Sequence, residues 1–124
     1  MAKFKKVLVV DDSDLDRLTL AKIFEKNGYQ VLTASDGPEG VEMAKAQKPD
    51  CVFMDVVMPT QSGFEATRTI RTDPATKHIP VVICTTKGLK TDDMWGRRQG
   101  ASDYLVKPIN EKAVLAAIAK LESA

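Results

Sequence analysis

The chain has no long hydrophobic run, few cysteines and little net charge. Its strongly apolar stretches are only a few residues long, whereas a membrane-spanning helix needs roughly 20 apolar residues, and its start lacks the apolar region of a signal peptide. Lysine and arginine (18) nearly balance aspartate and glutamate (17), so no overall field favours nucleic acid or a membrane surface. We therefore expect a cytoplasmic protein with no membrane span and no nucleic-acid partner.

The two cysteines do not predict a disulfide. Cys51 and Cys84 both lie inside apolar runs, where cysteine commonly behaves as a small hydrophobic residue. No repeat, low-complexity tract or glycine- and proline-rich linker divides the chain. A sequence of 124 residues with 44% hydrophobic residues can form one ordinary core, so we expect residues 1–124 to form a single domain.

Short apolar runs alternate with helix-length segments along the chain. The runs are almost continuously apolar, which is typical of parallel strands covered by helices on both faces of the sheet. Five βα units follow, and they predict an α/β fold with a doubly wound, flavodoxin-like parallel sheet in the strand order 2-1-3-4-5 and five helices. The predicted strands span 6–11, 30–34, 51–55, 80–85 and 102–106, and the predicted helices span 14–27, 37–47, 63–72, 88–99 and 110–122.

The fourth predicted helix has the weakest sequence signal. Its large apolar residues are only Leu89, Met94 and Trp95, and Gly96 lies in its interior, where glycine costs about 1 kcal/mol relative to alanine. We predict that this helix is an element of low stability, the kind from which switching surfaces are drawn.

Polar residues stand where four of the predicted strands end. In a doubly wound sheet the ligand site lies outside the carboxyl ends of the strands, so these side chains should share one rim. They are Asp11 and Asp12 after the first strand, Asp55 at the third, Thr85 at the fourth and Lys107 after the fifth.

Each of these residues also has a simpler explanation when it is taken alone. Aspartate and serine are favoured at helix N-termini, so the aspartates at 11 and 12 could serve only to start a helix, and Ser13 with Asp16 could do the same. Thr85 alone is typical of a strand end, and Lys107 alone of a surface lysine. Their combination favours a functional site, because helix capping does not require an aspartate, a threonine and a lysine at three further strand ends.

Three carboxylates that converge on one point repel each other, and a bound cation relieves the repulsion. Mg²⁺ is the natural candidate, because it takes oxygen ligands and usually binds one or two carboxylates together with phosphate oxygens. Asp12 and Asp55 would be direct ligands, and Asp11 would act through water. Asp55 is best placed to attack phosphorus and form an aspartyl phosphate. Lys107 and the Thr85 hydroxyl would then contact the phosphoryl oxygens.

Four motifs stand at these strand ends, namely Val9-Val10-Asp11-Asp12-Ser13, Met54-Asp55-Val56-Val57-Met58-Pro59, Cys84-Thr85-Thr86 and Lys107-Pro108. In this order they resemble the receiver domain of two-component response regulators across essentially the whole chain. The resemblance implies that Asp55 accepts a phosphoryl group from a histidine kinase, that the Val57 carbonyl joins the Mg²⁺ ligands, and that Lys107-Pro108 is a cis peptide. It also implies a phosphoacceptor rather than an enzyme, with no output domain in this chain.

The resemblance further implies a switch. The Thr85 hydroxyl would move toward the phosphoryl group and the Tyr104 ring would turn inward, changing an output surface formed by the fourth helix, the last strand and the final helix. That surface would bind a downstream protein target. Thr86 and Lys87 depart from the commonest family pattern, in which a smaller residue follows the threonine. We therefore expect a phosphoryl lifetime different from that of the chemotaxis regulators.

A narrower set of motifs resembles the stand-alone PilH-type regulators of type IV pilus twitching motility. This similarity implies a chemotaxis-type histidine kinase upstream and pilus-based movement as the output. The motifs are Thr85-Thr86-Lys87, Trp95-Gly96-Arg97-Arg98-Gln99-Gly100-Ala101 and Asp103-Tyr104-Leu105.

Other functions of the same architecture are alternatives. A flavodoxin-like nucleotide or FMN binder needs a first loop rich in glycine, serine and threonine, whereas the acidic residues at 11, 12 and 14 would repel a bare phosphate. A haloacid-dehalogenase-type phosphatase needs an acid two residues after its nucleophile, where this chain has Val57. A receiver could also act as a phosphate sink, or as an interaction module that does not depend on phosphorylation.

Overall fold

The computed structural model describes residues 4–58, 62–86 and 90–123, and for residues 90–93 the backbone alone. The ends of the elements differ from the predicted bounds by at most two residues; Gly88 and Leu89, predicted in the fourth helix, lie outside the described residues. The elements are β1 (Lys6–Val10), α1 (Asp14–Lys26), β2 (Gln30–Ala34), α2 (Gly37–Gln47), β3 (Cys51–Met54), α3 (Gly63–Thr72), β4 (Val81–Thr85), α4 (Lys90–Arg98), β5 (Asp103–Val106) and α5 (Glu111–Glu122).

All five strands are parallel and lie in the order β2-β1-β3-β4-β5. The predicted doubly wound, flavodoxin-like sheet is therefore confirmed. The register places Val10 opposite Met54, and Met54 opposite Ile83. Residues that follow these positions consequently leave the sheet side by side at its carboxyl edge, where ligand sites of such sheets lie.

The core has two layers, one on each face of the sheet. Alternate residues of β1 point to opposite faces, so Val7 and Val9 belong to the layer under α1 and α5, with Phe24, Phe53 and Ile118. The other layer, under α2 and α3, contains Leu8, Val10, Val41, Met54 and Ile70. In the part of the chain that the structure describes, no helix has the length and hydropathy of a membrane span.

Both cysteines are buried free thiols in strands. Cys51 and Cys84 pack in the layer that contains Phe53, and burial raises the pKa of each thiol. A thiol held neutral in this way is a poor nucleophile. Their predicted role as small hydrophobic residues agrees with these surroundings.

Helix α4 lies against β5 and α3. Met94 and Trp95 are about half exposed, whereas Gly96 is buried. A Cβ atom at Gly96 would lie 2.8 Å from Ile83 Cδ1 and 3.3 Å from Tyr104 Cδ2. The internal glycine therefore allows the helix to approach the sheet closely, and the low stability of α4 stays a prediction.

Candidate functional site

The carboxyl edge of the sheet brings the predicted site residues together. Asp11, Asp12 and Asp55 each place one carboxylate oxygen within 4.8 Å of the others. Lys107 follows β5, and its backbone N–H donates a hydrogen bond of 2.7 Å to the carbonyl of Thr85 at the end of β4. The parallel register thus produces one cluster from residues that are distant in the sequence.

Asp55 leaves β3 as a nearly buried residue, 6% exposed. Its backbone N–H continues the sheet by donating to the Val10 carbonyl at 2.9 Å. Its carboxylate Oδ1 accepts hydrogen bonds from the N–H groups of Val56 at 2.8 Å and Val57 at 3.4 Å. These two donors fix one side of the carboxylate and leave Oδ2 on the side of Lys107.

The first residue of α3 packs directly on the Asp55 peptide. The N–H of Gly63 donates to the Val56 carbonyl at 3.1 Å, and a Cβ atom at Gly63 would lie 1.9 Å from the Asp55 carbonyl oxygen. No side chain larger than hydrogen fits at this distance. The start of α3 therefore helps to hold the loop that carries Asp55.

Asp11 and Asp12 occupy different environments after β1. Asp11 is buried, and its Oδ1 accepts a hydrogen bond of 2.9 Å from the N–H of Ser13, the N-cap of α1. The Arg17 guanidinium donates to the Asp11 carbonyl at 2.7 Å. Asp12 is exposed. One of the two acids is thus held by the protein, and the other faces solvent.

Lys107 crosses the cluster with a nearly buried side chain. Its Nζ donates hydrogen bonds to Asp11 Oδ2 at 2.7 Å and to Asp16 Oδ2 at 2.8 Å, and it lies 3.8 Å from Asp55 Oδ2. The Lys107-Pro108 peptide is cis, as the family resemblance implied. The lysine therefore contacts every carboxylate of the cluster except that of Asp12, among the described contacts.

Asp16 is the site residue that the sequence analysis missed. Its role was taken to be that of a helix-start residue with Ser13, and its N–H does donate to the Ser13 hydroxyl at 3.2 Å. Its carboxylate, however, binds Lys107, which lies 91 residues away in the sequence. The available signal was a further acid close to the rim, in the first turn of a helix that begins there.

Burial and like charge govern the electrostatics of Asp55. Burial of the carboxyl group and the neighbouring charge of Asp11 raise its pKa, while Lys107 and the N–H groups of Val56 and Val57 oppose this effect. Burial by itself would lower the pKa of Lys107, but its hydrogen bonds to Asp11 and Asp16 raise it overall. The lysine is thus a fixed positive charge beside an acid that resists ionisation.

The two predicted switch residues lie on the α4 side of the site. Thr85 is fully buried at the end of β4. Tyr104 is 8% exposed and packs in a small cluster with Val56, Ile83 and Ala101, against which Phe64 also lies. The cluster joins the residue that follows Asp55 to the strand beneath α4. Pro59 and Lys87, also named in the motifs, lie outside the described residues.

Known proteins resemble this chain in sequence and in structure. The sequence matches the response regulator receiver domain over residues 7–119. Protein PilH of Pseudomonas aeruginosa is 50% identical over 113 residues, which cover 91% of this chain and 93% of PilH. The chemotaxis response regulator CheY4 of Vibrio cholerae is 33% identical, with a TM-score of 0.89 over 96% of this chain and 99% of CheY4.

A third relative carries a metal. The receiver domain of a sensor histidine kinase from Pseudomonas aeruginosa, solved with a magnesium ion coordinated in its active-site cleft, is 26% identical, with a TM-score of 0.89 over 98% of this chain and 99% of that one. The sequence match, the shared fold and the likeness to PilH agree with one another. The chain belongs to the response regulator receiver domain family, and the predicted resemblance to its PilH-type members is confirmed.

Proposed function

We propose that this receiver accepts a phosphoryl group on Asp55 and signals through a protein partner. The observation that carries the proposal is the position of Asp55, a nearly buried carboxylate with Lys107 Nζ at 3.8 Å and two further carboxylates within 4.8 Å. A structural aspartate at a strand end does not need such neighbours, whereas phosphoryl transfer needs an oxygen nucleophile beside fixed positive charge.

Asp55 is the acceptor in this proposal. Its carboxylate forms a bond to phosphorus while the bond from phosphorus to the donor breaks, and the leaving group keeps the electron pair. The N–H groups of Val56 and Val57 hold the carboxylate in place during the attack. The protein acts on its own side chain, so it assists its own phosphorylation and dephosphorylation and is not an enzyme acting on another molecule.

The donor set fits Mg²⁺. Clustered carboxylate oxygens suit a hard cation that binds oxygen. Burial and the neighbouring charge of Asp11 raise the pKa of Asp55, and a bound cation would favour its ionised form. The residues that would hold the ion are Asp11, Asp12, Asp55 and the Val57 carbonyl. When bound, the ion neutralises charge on the carboxylates and on the phosphoryl donor.

Lys107 and Thr85 are the proposed phosphoryl contacts. The Lys107 ammonium group stands beside the acceptor carboxylate and stabilises negative charge on the phosphoryl oxygens. Thr85 lies on the neighbouring strand end, linked to Lys107 through the hydrogen bond between their backbones. Its hydroxyl would move toward the phosphoryl group, and the Tyr104 ring would adjust to that movement.

The output surface is proposed to be α4, β5 and α5. Met94, Trp95 and Val106 are large apolar residues on it that are about half exposed, and such residues are frequent anchors in protein interfaces. Tyr104 packs with Val56, next to the acceptor, and near Gly96 of α4. These contacts form a continuous packed connection from the site to the surface, which supports coupling between them.

The likeness to PilH supports a place in chemotaxis-like control of type IV pilus motility. In that role a chemotaxis-type histidine kinase is the phosphoryl donor, and the protein works in the cytoplasm. A phosphate sink would also be phosphorylated on Asp55, but it would bind no downstream target protein. A pull-down with and without beryllofluoride and Mg²⁺ separates the two roles, because an effector gains a target in the activated state and a sink does not.

Intact-mass spectrometry after incubation with acetyl phosphate tests the proposed chemistry. We expect one phosphoryl adduct that requires Mg²⁺ and is absent from Asp55→Asn. Asp14→Asn is the matched control, because Asp14 is an exposed acid that pairs with Arg17, and it should form the adduct as the wild type does. No adduct from acetyl phosphate or from a phosphorylated kinase would leave a phosphorylation-independent interaction module.

A further inference from the structure

We propose that Asp16 is a positioning residue that holds the Lys107 ammonium group before phosphorylation and releases it to the phosphoryl group afterwards. The inference rests on the proposed function, since it concerns the same lysine. Asp16 touches neither the acceptor nor any other member of the acidic cluster in the described contacts. Its effect on the reaction would pass through Lys107.

The distances show which carboxylates bind the lysine. Nζ is 2.7 Å from Asp11 Oδ2 and 2.8 Å from Asp16 Oδ2, both within hydrogen-bond range, but 3.8 Å from Asp55 Oδ2. An ammonium group has three N–H donors, and two of them are taken by these acids. One donor remains, so a phosphoryl group on Asp55 competes with Asp16 for the position of the ammonium group and not for its last donor.

Of the two bonds, that to Asp16 is the one that can break at low cost. Asp11 is 2% exposed as a side chain, and its other oxygen is held by the Ser13 N–H. The Asp16 side chain is 43% exposed, so water can solvate its carboxylate once the lysine leaves. The loss of Lys107 would cost the buried Asp11 carboxylate far more free energy than it costs Asp16, because water could not replace the missing partner.

The surroundings of the pair leave room for that movement. A cavity of about 150 Å³ lies between α1 and the segment after β5, lined by Asp16 and Lys107 together with Leu20, Ile23 and Ile109. The aliphatic part of Lys107 borders this space, so it is not tightly packed on the side that faces α1. The Asp11 bond can persist through the change, and Lys107 turns about it from Asp16 toward Asp55.

The bond between Lys107 and Asp16 must break when Lys107 binds the phosphoryl group, and this costs free energy. Removal of the Asp16 charge should therefore strengthen phosphoryl binding. We expect Asp16→Asn to bind beryllofluoride, in the presence of Mg²⁺, about fivefold more tightly than the wild type, the size of a partly exposed ion pair. Asp16→Glu restores a carboxylate within reach of the lysine and should return the affinity toward the wild-type value.

The experiment is a titration with beryllofluoride at fixed Mg²⁺, followed by the ¹⁹F NMR signal of the bound fluorides. Asp14→Asn is the matched control, because it removes one negative charge from the same helical turn without touching Lys107. It should bind as the wild type does. Rescue by Asp16→Glu distinguishes a bond to Lys107 from a loss of helix stability.

Unchanged or weaker binding by Asp16→Asn would overturn the inference, as would an equal gain in Asp14→Asn, which would indicate a general charge effect. In both cases the wild type binds beryllofluoride, and the proposed function stands. A wild type that binds no beryllofluoride with Mg²⁺ would overturn the proposed function and this inference together.

Discussion

At the scale of single residues, Asp55 occupies a position that suits reaction better than stability. Its carboxyl group is nearly buried and stands beside the carboxylate of Asp11, and these two influences raise its pKa. A folded protein gains nothing from ionising an acid there. The arrangement becomes favourable when a cation or a phosphoryl group takes part, which is typical of functional sites with perturbed pKa values.

We expect Asp55→Asn to be more stable than the wild type at pH 7 in the presence of a chelator, by on the order of 1 kcal/mol. The folded-state pKa of Asp55 is raised above its unfolded value, so folded protein binds this proton more tightly. The stability of the wild type therefore falls as pH rises from the unfolded pKa, about 3.9, through the folded pKa. The variant lacks this fall.

Urea unfolding of both proteins, from roughly pH 3 to pH 8, measures the difference in their free energies of unfolding. This range begins below the ordinary pKa of an aspartate. The gain from the substitution should be largest near neutral pH and shrink toward acid pH. Asp14→Asn, at an exposed position, should show no such trend. A gain that is independent of pH would mean that ionisation of Asp55 does not destabilise the fold.

Thr86 directly follows Thr85 and is exposed. We expect its bulk to restrict the approach of water to a phosphoryl group on Asp55, and Thr86→Ala to lose that group about threefold faster, equivalent to roughly 0.6 kcal/mol of barrier. The rate of dephosphorylation is measured on the purified phosphoprotein, by loss of a radioactive label or by mass spectrometry. Equal rates in the two proteins would show that Thr86 does not control access.

At the scale of elements, the junction between β3 and α3 fixes the acceptor loop. We expect Gly63→Ala to destabilise the protein by about 3 kcal/mol or more, because the new Cβ would lie 1.9 Å from the Asp55 carbonyl oxygen and 2.7 Å from Val56 Cα. These are backbone atoms just after β3, and they cannot move aside as the far end of a flexible side chain can.

Thermal unfolding measures this effect, and Ser62→Ala is the control in the same helix. Ser62 is the N-cap of α3, and its hydroxyl accepts from the Glu65 N–H at 3.2 Å, so its loss should cost only about 1 kcal/mol. If Gly63→Ala cost no more than this control, the contact between α3 and the Asp55 peptide would be loose.

The strands and helices could be predicted because their signals are local. Apolar runs of strand length and capping residues such as Ser13, Ser62 and Asn110 mark the ends of elements within a few residues of sequence. Close approaches could not be predicted in this way. Gly96 had the pattern of a weak point in a helix, yet it packs near Ile83 of β4 and Tyr104 of β5. Contacts between different elements are not visible in a local sequence pattern.

At the scale of the whole molecule, the parallel topology explains why the rim of the site could be predicted. Strand ends meet at one edge, so Asp11, Asp12, Asp55 and Lys107 converge once the strands are identified. The bond from Asp16 to Lys107 depends instead on how α1 is oriented over that edge. The periodicity of the sequence does not predict the orientation of α1, which is seen only in the packed structure.

The site and the proposed output surface belong to one packed body. Val56 follows the acceptor and lies in the same cluster as Tyr104, and Gly96 of α4 packs beside that ring. In the proposed function, a change at Asp55 would reach α4 through these two contacts. The exposed Met94 and Trp95 stand at the end of this route, where a partner protein would bind.

The central claim is that Asp55 itself carries the phosphoryl group, and reductive trapping tests it most directly. Borohydride converts an aspartyl phosphate into homoserine, and peptide sequencing by tandem mass spectrometry locates the converted residue after treatment with acetyl phosphate and Mg²⁺. The account predicts homoserine at position 55 and unmodified aspartate at positions 11, 12 and 16. Homoserine at any of those other positions, with Asp55 unmodified, would contradict it.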